Sequence, residues 1–149
     1  MNVQQLVDAV ARLEAHDALV CRLTAEEWKV LAPYLTVRFM RVGEPLVHEG
    51  EVDRDVYIIA EGEVEVSVQG HGIAILGEGN VVGECSFFSG QPRCATVVPT
   101  RPGVAWGLNW DRFDLMAHRH PRLAVHLLKG LSSVMAIRMR QAVLVEQFA

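Results

Sequence analysis

Val82-Gly83-Glu84-Cys85-Ser86-Phe87-Phe88-Ser89-Gly90-Gln91-Pro92-Arg93-Cys94-Ala95-Thr96-Val97 is the stretch around which the fold is read. Gly83 has no Cβ, so another group can approach its backbone closely, and the N–H groups opening the turn after it favour an anion. Glu84 is ionised at neutral pH and only accepts hydrogen bonds; it suits a hydroxyl donor such as a ribose 2′-OH and repels a phosphate unless a cation stands near. Arg93 supplies that cation, a planar guanidinium that stays charged and can hold phosphate oxygens in bidentate fashion. Between the two charges, Ser89-Gly90-Gln91-Pro92 reads as a turn: Gly90 tolerates positive φ, and Pro92 fixes its own φ and pushes Gln91 extended. Cys94 and Ala95 are small enough to let a phosphate reach the Ala95 N–H before Thr96, Val97 and Val98 continue as strand. The pattern describes a ligand site and holds no group placed for a reaction.

Outward from this stretch the chain alternates. Leu35, Val37 and Phe39 interleave with Thr36 and Arg38, and Val64, Val66 and Val68 with Glu63, Glu65, Ser67 and Gln69, the period of half-buried strands. Val56-Tyr57-Ile58-Ile59-Ala60-Glu61-Gly62-Glu63-Val64-Glu65-Val66 reads as strand, turn at Glu61-Gly62, and strand. Further turn signals at Gly43-Glu44-Pro45, Gly50, Gly70-His71-Gly72 and Gly77-Glu78-Gly79-Asn80 are spaced as in a sandwich or barrel. Residues 35–108 are therefore expected to form an antiparallel β-roll. Before it, Val3, Leu6, Val7, Val10 and Leu13 predict a helix over 3–15, and Thr24 with Glu27 makes a capping box for a helix over 24–32 that ends at Pro33. After Val104–Leu108, Asn109 caps a helix through about His118, and Pro121 stands in the first turn of a helix running to the end. The organisation is one α+β domain: helices in 1–34, the roll with the 82–97 stretch inside it, and helices in 109–149.

Gly83-Glu84, a short helix and Arg93-Cys94-Ala95-Thr96 resemble the phosphate-binding cassette of the cyclic nucleotide-binding domain family, in register and without a gap. Gly43-Glu44-Pro45-Leu46-Val47, Gly50 and the 56–66 segment are similar to that family's upstream strands. The resemblance runs from about Leu19 to the C-terminus. It implies a β-roll sensor in which Glu84 takes the ribose 2′-OH, Arg93 the cyclic phosphate, and Gly83 and Ala95 donate backbone N–H groups, with Cys85 and Cys94 beside them. The ligand it implies is cyclic AMP, with cyclic GMP the alternative, because Cys94 stands where a threonine hydroxyl is associated with guanine preference.

Composition narrows the class. The 149 residues are half apolar, enough for one core and too few for two ordinary domains. Lys and Arg number 14 against 18 Asp and Glu, a net charge of -4, which argues against a broad nucleic-acid surface. The N-terminus lacks the pattern of a signal peptide and no run of about 18 apolar residues occurs, so no membrane partner and a cytoplasmic location are expected. Cys21, Cys85 and Cys94, odd in number and without metal-ligand spacing, read as reduced thiols packed as small hydrophobes.

The last helix carries Leu123, Leu127, Gly130, Val134, Ile137, Gln141, Leu144 and Phe148 at heptad-like spacing, with Leu128, Leu131 and Met135 on another face. One face can dock on the roll while the other pairs with a second copy, so a homodimer through this helix is expected. In the family this helix resembles a lid over the purine, and ungapped alignment puts Arg138 and Met139 where a family member offers two hydroxyl residues. Arg138 is thus either a ligand contact, stacking on the purine or bonding its edge, or a solvated helix charge.

Other classes fit less well. His118 and His120 form the sole His-x-His pair, at a helix end before Pro121, and His48 and His71 stand alone, so no three convergent metal ligands can be assembled. No nucleophile and base arrangement is visible; no enzyme, metal or cofactor is expected. The remaining alternatives are a nucleotide-blind dimeric scaffold of the same fold and the sensor half of a transcription factor of the catabolite activator type.

Overall fold

The computed structural model describes residues 2–13, 17, 19 and 23–148. Helix α1 spans Val3–Arg12 with Asn2 capping the Gln4 N–H; the last positions of the expected 3–15 helix, 14 and 15, lie outside the described residues, as does Cys21. Helix α2 (Ala25–Leu31) opens with the reciprocal Thr24–Glu27 capping box. A 3-10 turn containing Pro33 ends it.

Strands β1 (Thr36–Met40), β2 (Asp55–Val68), β3 (His71–Leu76), β4 (Val81–Val82) and β5 (Thr96–Asn109) form one open antiparallel sheet in the order β1-β5-β2-β3, with β4 also on β2. Gln69 and Gly70, both at positive φ, make the tight connection between β2 and β3, where Val68 pairs with His71. Two expectations change here. The turn expected at Glu61-Gly62 is absent: β2 continues through it, Gly62 sits at φ 102°, and the register with β5 slips on both sides. A Cβ on Gly62 would stand 2.9 Å from the Pro102 carbonyl, so the glycine accommodates a bulge rather than a reversal. Likewise 96–98 and 104–108 are one long strand. Phe39 is 69 % exposed while its neighbour Met40 is buried, because β1 is an edge strand whose buried side chain falls one position later than the alternation suggests.

β2 and β5 separate two cores. Val56, Ile58 and Ala60 with Val104, Trp106 and Leu108 face the helices, packing with Leu6, Trp28, Phe87, Phe113 and Met116. The intervening Tyr57, Ile59 and Ala105 point the other way, among Leu46, Val47, Val82 and Val97. The central strand is therefore buried on both faces and the pocket opens beside the second core.

Asn109 caps α4 (Trp110–Arg119), accepting from the Asp111 N–H, and α5 runs Pro121–Phe148. The heptad-like seam is divided between two roles. Leu123, Leu127 and Val134 are buried in the helix-facing core together with Leu131, which the sequence assigned to the other face. Farther along, Leu144 of the seam is exposed, as are Met139 and Val143 outside it. No described helix is long and apolar enough to cross a membrane.

Candidate functional site: the nucleotide pocket

Helix α3 (Glu84–Ser89) starts directly after Gly83, which adopts φ 85°, and ends at Gly90, φ 70°. Arg54 secures its far end, donating from Nε and Nη2 to the Phe87 carbonyl and from Nη2 to that of Phe88, with its guanidinium 4.0 Å over the Trp110 ring. Together with the start of β5, α3 lines a pocket of about 290 Å³. Its walls bring together Gly83, Glu84, Cys85, Arg93, Cys94, Ala95 and Arg138, with Val47, Val66, Ile73 and Leu76 forming an apolar side. The shape is an apolar slot with a few convergent polar groups, the usual form of a small-molecule site.

Arg93 is 4 % exposed and intensively held. Its Nε and Nη2 grip the Asp53 carboxylate at 2.9 and 2.6 Å, Nη2 also donates to the Asp55 carbonyl at 2.6 Å, and Nη1 donates to the Gly83 carbonyl at 3.0 Å. Four of its five N–H donors are thus engaged, which leaves one on Nη1 for a ligand. The bidentate grip on phosphate expected from the sequence is not available in this arrangement, since Asp53 occupies the fork. Gly83 serves this packing too: a Cβ there would lie 2.8 Å from Arg93 Nη1 and from the Asp55 carbonyl oxygen. The close approach read from the sequence is made by the guanidinium itself.

Glu84 is buried, and its Oε1 accepts from Arg138 Nη1 at 2.9 Å. Arg138 also donates from Nη1 to the Val81 carbonyl and from Nε to Asp17, both at 2.7 Å, while its buried Nη2 has no partner among the described residues. Burial pulls its pKa down, but the Glu84 and Asp17 carboxylates outweigh that and hold it above the ordinary arginine value. Of the two positions open at the sequence level, Arg138 is neither solvated nor free: it links α5 to the acid of the cassette. Met139 is 67 % exposed and outside the pocket, whereas Gln141, a polar position of the heptad-like seam, lines it. Position 141 shares the face of 138 because residues three apart on a helix are neighbours, and 139 is turned away by about 100°.

The cysteine expectation is corrected. Cys85 and Cys94 are exposed at the pocket instead of packed in a core, because the cassette projects them into the opening. Desolvation, reinforced by the Glu84 charge and by Cys94, raises the Cys85 thiol to about 11. Among the described residues no group of three or more His, Cys, Asp or Glu could hold a metal ion. His118 Nδ1 lies 2.8 Å from the Asp114 carbonyl of its own helix. The sequence reading missed Asp53, Asp17 and Gln141. Only the Asp53-Arg54-Asp55 cluster beside an apolar strand gave a signal that could have been followed.

The profile of the cyclic nucleotide-binding domain family matches residues 37–120. An uncharacterised NTE-family protein of Mycobacterium tuberculosis is 28 % identical over 111 residues, 74 % of this chain and 19 % of the relative. A cAMP-dependent protein kinase regulatory subunit of Yarrowia lipolytica is 28 % identical over 128 residues, 85 % of this chain and 34 % of the relative. A cGMP-dependent protein kinase of Toxoplasma gondii is 33 % identical over 92 residues, 62 % of this chain and 9 % of the relative. The chain spans between 9 % and 34 % of the length of these curated relatives. Among solved structures, a cyclic nucleotide-binding domain of Methylobacillus flagellatus superposes with a TM-score of 0.80 at 23 % identity, covering 93 % of this chain and 78 % of the other. Since the profile takes in more than half of the 149 residues, this chain belongs to the cyclic nucleotide-binding domain family.

Proposed function

We propose that the chain is a sensor that binds cyclic AMP in the 290 Å³ pocket and transmits occupancy through α5. The observation that carries this is the Arg138–Glu84 bond: the acid suited to a ribose hydroxyl is held by the helix that would have to move. Glu84 Oε2 is available to the 2′-OH, the remaining Arg93 N–H and the Ala95 N–H face the cyclic phosphate, and the unpartnered Arg138 Nη2 offers a donor to the sugar or base. The apolar side formed by Val66, Ile73 and Leu76 suits a purine face. Cyclic AMP is preferred over cyclic GMP because the thiol of Cys94 is a weak donor for guanine. The relatives named for each nucleotide leave both in play.

Ligand shifts the position of α5 only by its differential affinity for the two states, about 1 to 3 kcal/mol in typical couplings. Leu144 of the seam, with the exposed Met139 and Val143 beside it, is the part of α5 that a second copy would cover in a symmetric dimer. Light scattering at micromolar concentration checks this, and a monomer mass removes it. The ligand is bound and released unchanged; turnover of cyclic AMP by pure protein would contradict that.

A second reading has one observation in its favour: Arg93 is so fully committed to Asp53, Asp55 and Gly83 that it serves as a structural brace in a nucleotide-blind scaffold. Calorimetric titration with cyclic AMP and cyclic GMP separates the two. Arg93→Ala should weaken binding at least about tenfold, the loss of one charge-assisted hydrogen bond of about 1.5 to 3 kcal/mol. Absence of binding heat with the intact protein, checked by a direct binding assay, favours the scaffold.

A further inference from the structure

Cys85 and Cys94 bracket the cassette, one in the first turn of α3 and the other immediately after Arg93. Both thiols are free and exposed, both line the same pocket, and each stands next to a charged residue of the site. The two thiols line one cavity of about 290 Å³, and Cys94 is among the neighbours that raise the Cys85 thiol. A core role would not place two thiols there, and no hydrogen bond of the fold depends on either side chain among the described residues. The pair lines the same pocket as Ala95 and Arg93.

We propose that Cys85 and Cys94 form a reversible disulfide that closes the pocket to its ligand. The oxidant is a low-molecular-weight disulfide. The Cys94 thiolate attacks one of its sulfurs, breaking that S–S bond and releasing one small thiolate, which takes up a proton. Cys85 then loses its proton and attacks the Cys94 sulfur of the mixed disulfide, displacing the second small thiol. Two protein thiols are oxidised and one small disulfide is reduced to two thiols, so hydrogens and electrons balance. Cys85 acts second because its thiol, held up to about 11, yields little thiolate near neutrality. The new bond ties the first turn of α3 to the approach to β5 and puts two sulfur atoms across the phosphate path. The bond itself is independent of the ligand reading; its regulatory consequence rests on that reading.

The test oxidises the full chain with glutathione disulfide, blocks remaining thiols with N-ethylmaleimide, and follows intact mass, tryptic peptides and cyclic AMP affinity. Trypsin cuts after Arg93, so residues 55–93 and 94–112 leave as separate peptides unless a Cys85–Cys94 bridge joins them. The expected product is about 2 Da lighter than the reduced protein, carries the bridged peptides, binds cyclic AMP about tenfold or more weakly, and recovers with dithiothreitol. Cys94→Ser, compared before and after the same treatment, should give no bridged peptide and no change in its own affinity. A stable glutathione adduct, a bridge to Cys21 or between two chains, or a Cys85–Cys94 bridge that leaves affinity unchanged overturns the proposal. If the reduced protein does not bind cyclic AMP, the ligand reading and the regulatory consequence fall together, while the peptide map still decides the bond.

Discussion

Removing the Arg138 guanidinium should destabilise the unliganded protein through Glu84, and the size of the effect can be worked from the geometry. Arg138 Nη1 donates to Glu84 Oε1 at 2.9 Å, with side-chain exposures of 21 % and 9 %. A hydrogen bond to a charged group contributes about 1.5–3 kcal/mol, and the Coulomb attraction of such a pair near a protein surface is about 4 kcal/mol before desolvation takes back part of it. A coupling of about 2 kcal/mol follows for the pair. Arg138→Met keeps most of the aliphatic length but strands two carboxylates, Glu84 and Asp17, so its cost should reach about 3 kcal/mol. Glu84→Ala leaves Arg138 still paired to Asp17 at 2.7 Å and should cost less. Urea denaturation of the wild type, both single variants and the double variant measures the coupling directly. At a slope of about 2 kcal/mol per molar, a coupling of 2 kcal/mol separates the double variant from the additive expectation by about 1 M. A coupling below about 0.5 kcal/mol would show that α5 is not latched to the cassette through this bond.

Three other outcomes follow from individual groups. Gly83→Ala forces a Cβ to 2.8 Å from Arg93 Nη1 at φ 85°, and should lower stability by at least about 1–2 kcal/mol; an unchanged thermal midpoint would mean that Arg93 is not packed on this glycine. The Thr24 N–H, assisted by His126 at 2.9 Å, holds the Glu27 carboxyl below its usual value against the opposing effect of burial. A depressed carboxyl stabilises above its unfolded pKa, near about 4.3, and that contribution fades as pH falls through the folded value. The stability gap between wild type and Glu27→Gln should therefore narrow toward pH 3, and a gap independent of pH would contradict the assignment. For Cys85 the sign reverses: partial desolvation against the pocket wall and the Glu84 charge raise the thiol to about 11, so its contribution is intact below the unfolded value of about 8.5 and disappears as pH rises through 11. Iodoacetamide should accordingly label Cys85 slowly at pH 8 and progressively faster toward pH 11, and labelling at pH 8 as fast as that of a free thiol would sink the claim.

What was legible in the sequence was set by local chemistry. The Thr24–Glu27 box, the Asn109 cap, the α3 turn between Gly83 and Gly90 and the proline opening α5 depend on residues within a few positions of each other, and each is found where its own short pattern puts it. The errors came where distant segments decide. Gly62 looked like a turn because strand–glycine–strand is ambiguous, and only pairing with β5, some forty positions away, keeps the chain straight through a bulge. The α5 seam looked continuous because sequence spacing does not say where the underlying roll ends; beyond Val134 the helix leaves the core, with Ile137 half-buried and Leu144 exposed.

The same distinction explains the site. Glu84 and Arg93 were visible as an acid and a base bracketing a turn, yet what governs them is 40 to 54 positions away: Asp53 for Arg93 and Arg138 for Glu84. Neither partner could be read from spacing, because the pairing exists only once β2 has been laid beside the cassette and α5 folded back over it. The consequence is physical as well as interpretive. A buried guanidinium without Asp53 would be an uncompensated charge, and a buried carboxylate without Arg138 would be another, so the fold supplies each with a counter-charge of its own. In the proposed complex a phosphate would be met by one remaining Arg93 N–H on an already neutralised cation, whereas a ribose hydroxyl would meet a carboxylate tied to α5. Occupancy of the pocket is therefore expected to register most strongly at the sugar end, through Glu84 and Arg138, and to leave the Arg93–Asp53 brace in place.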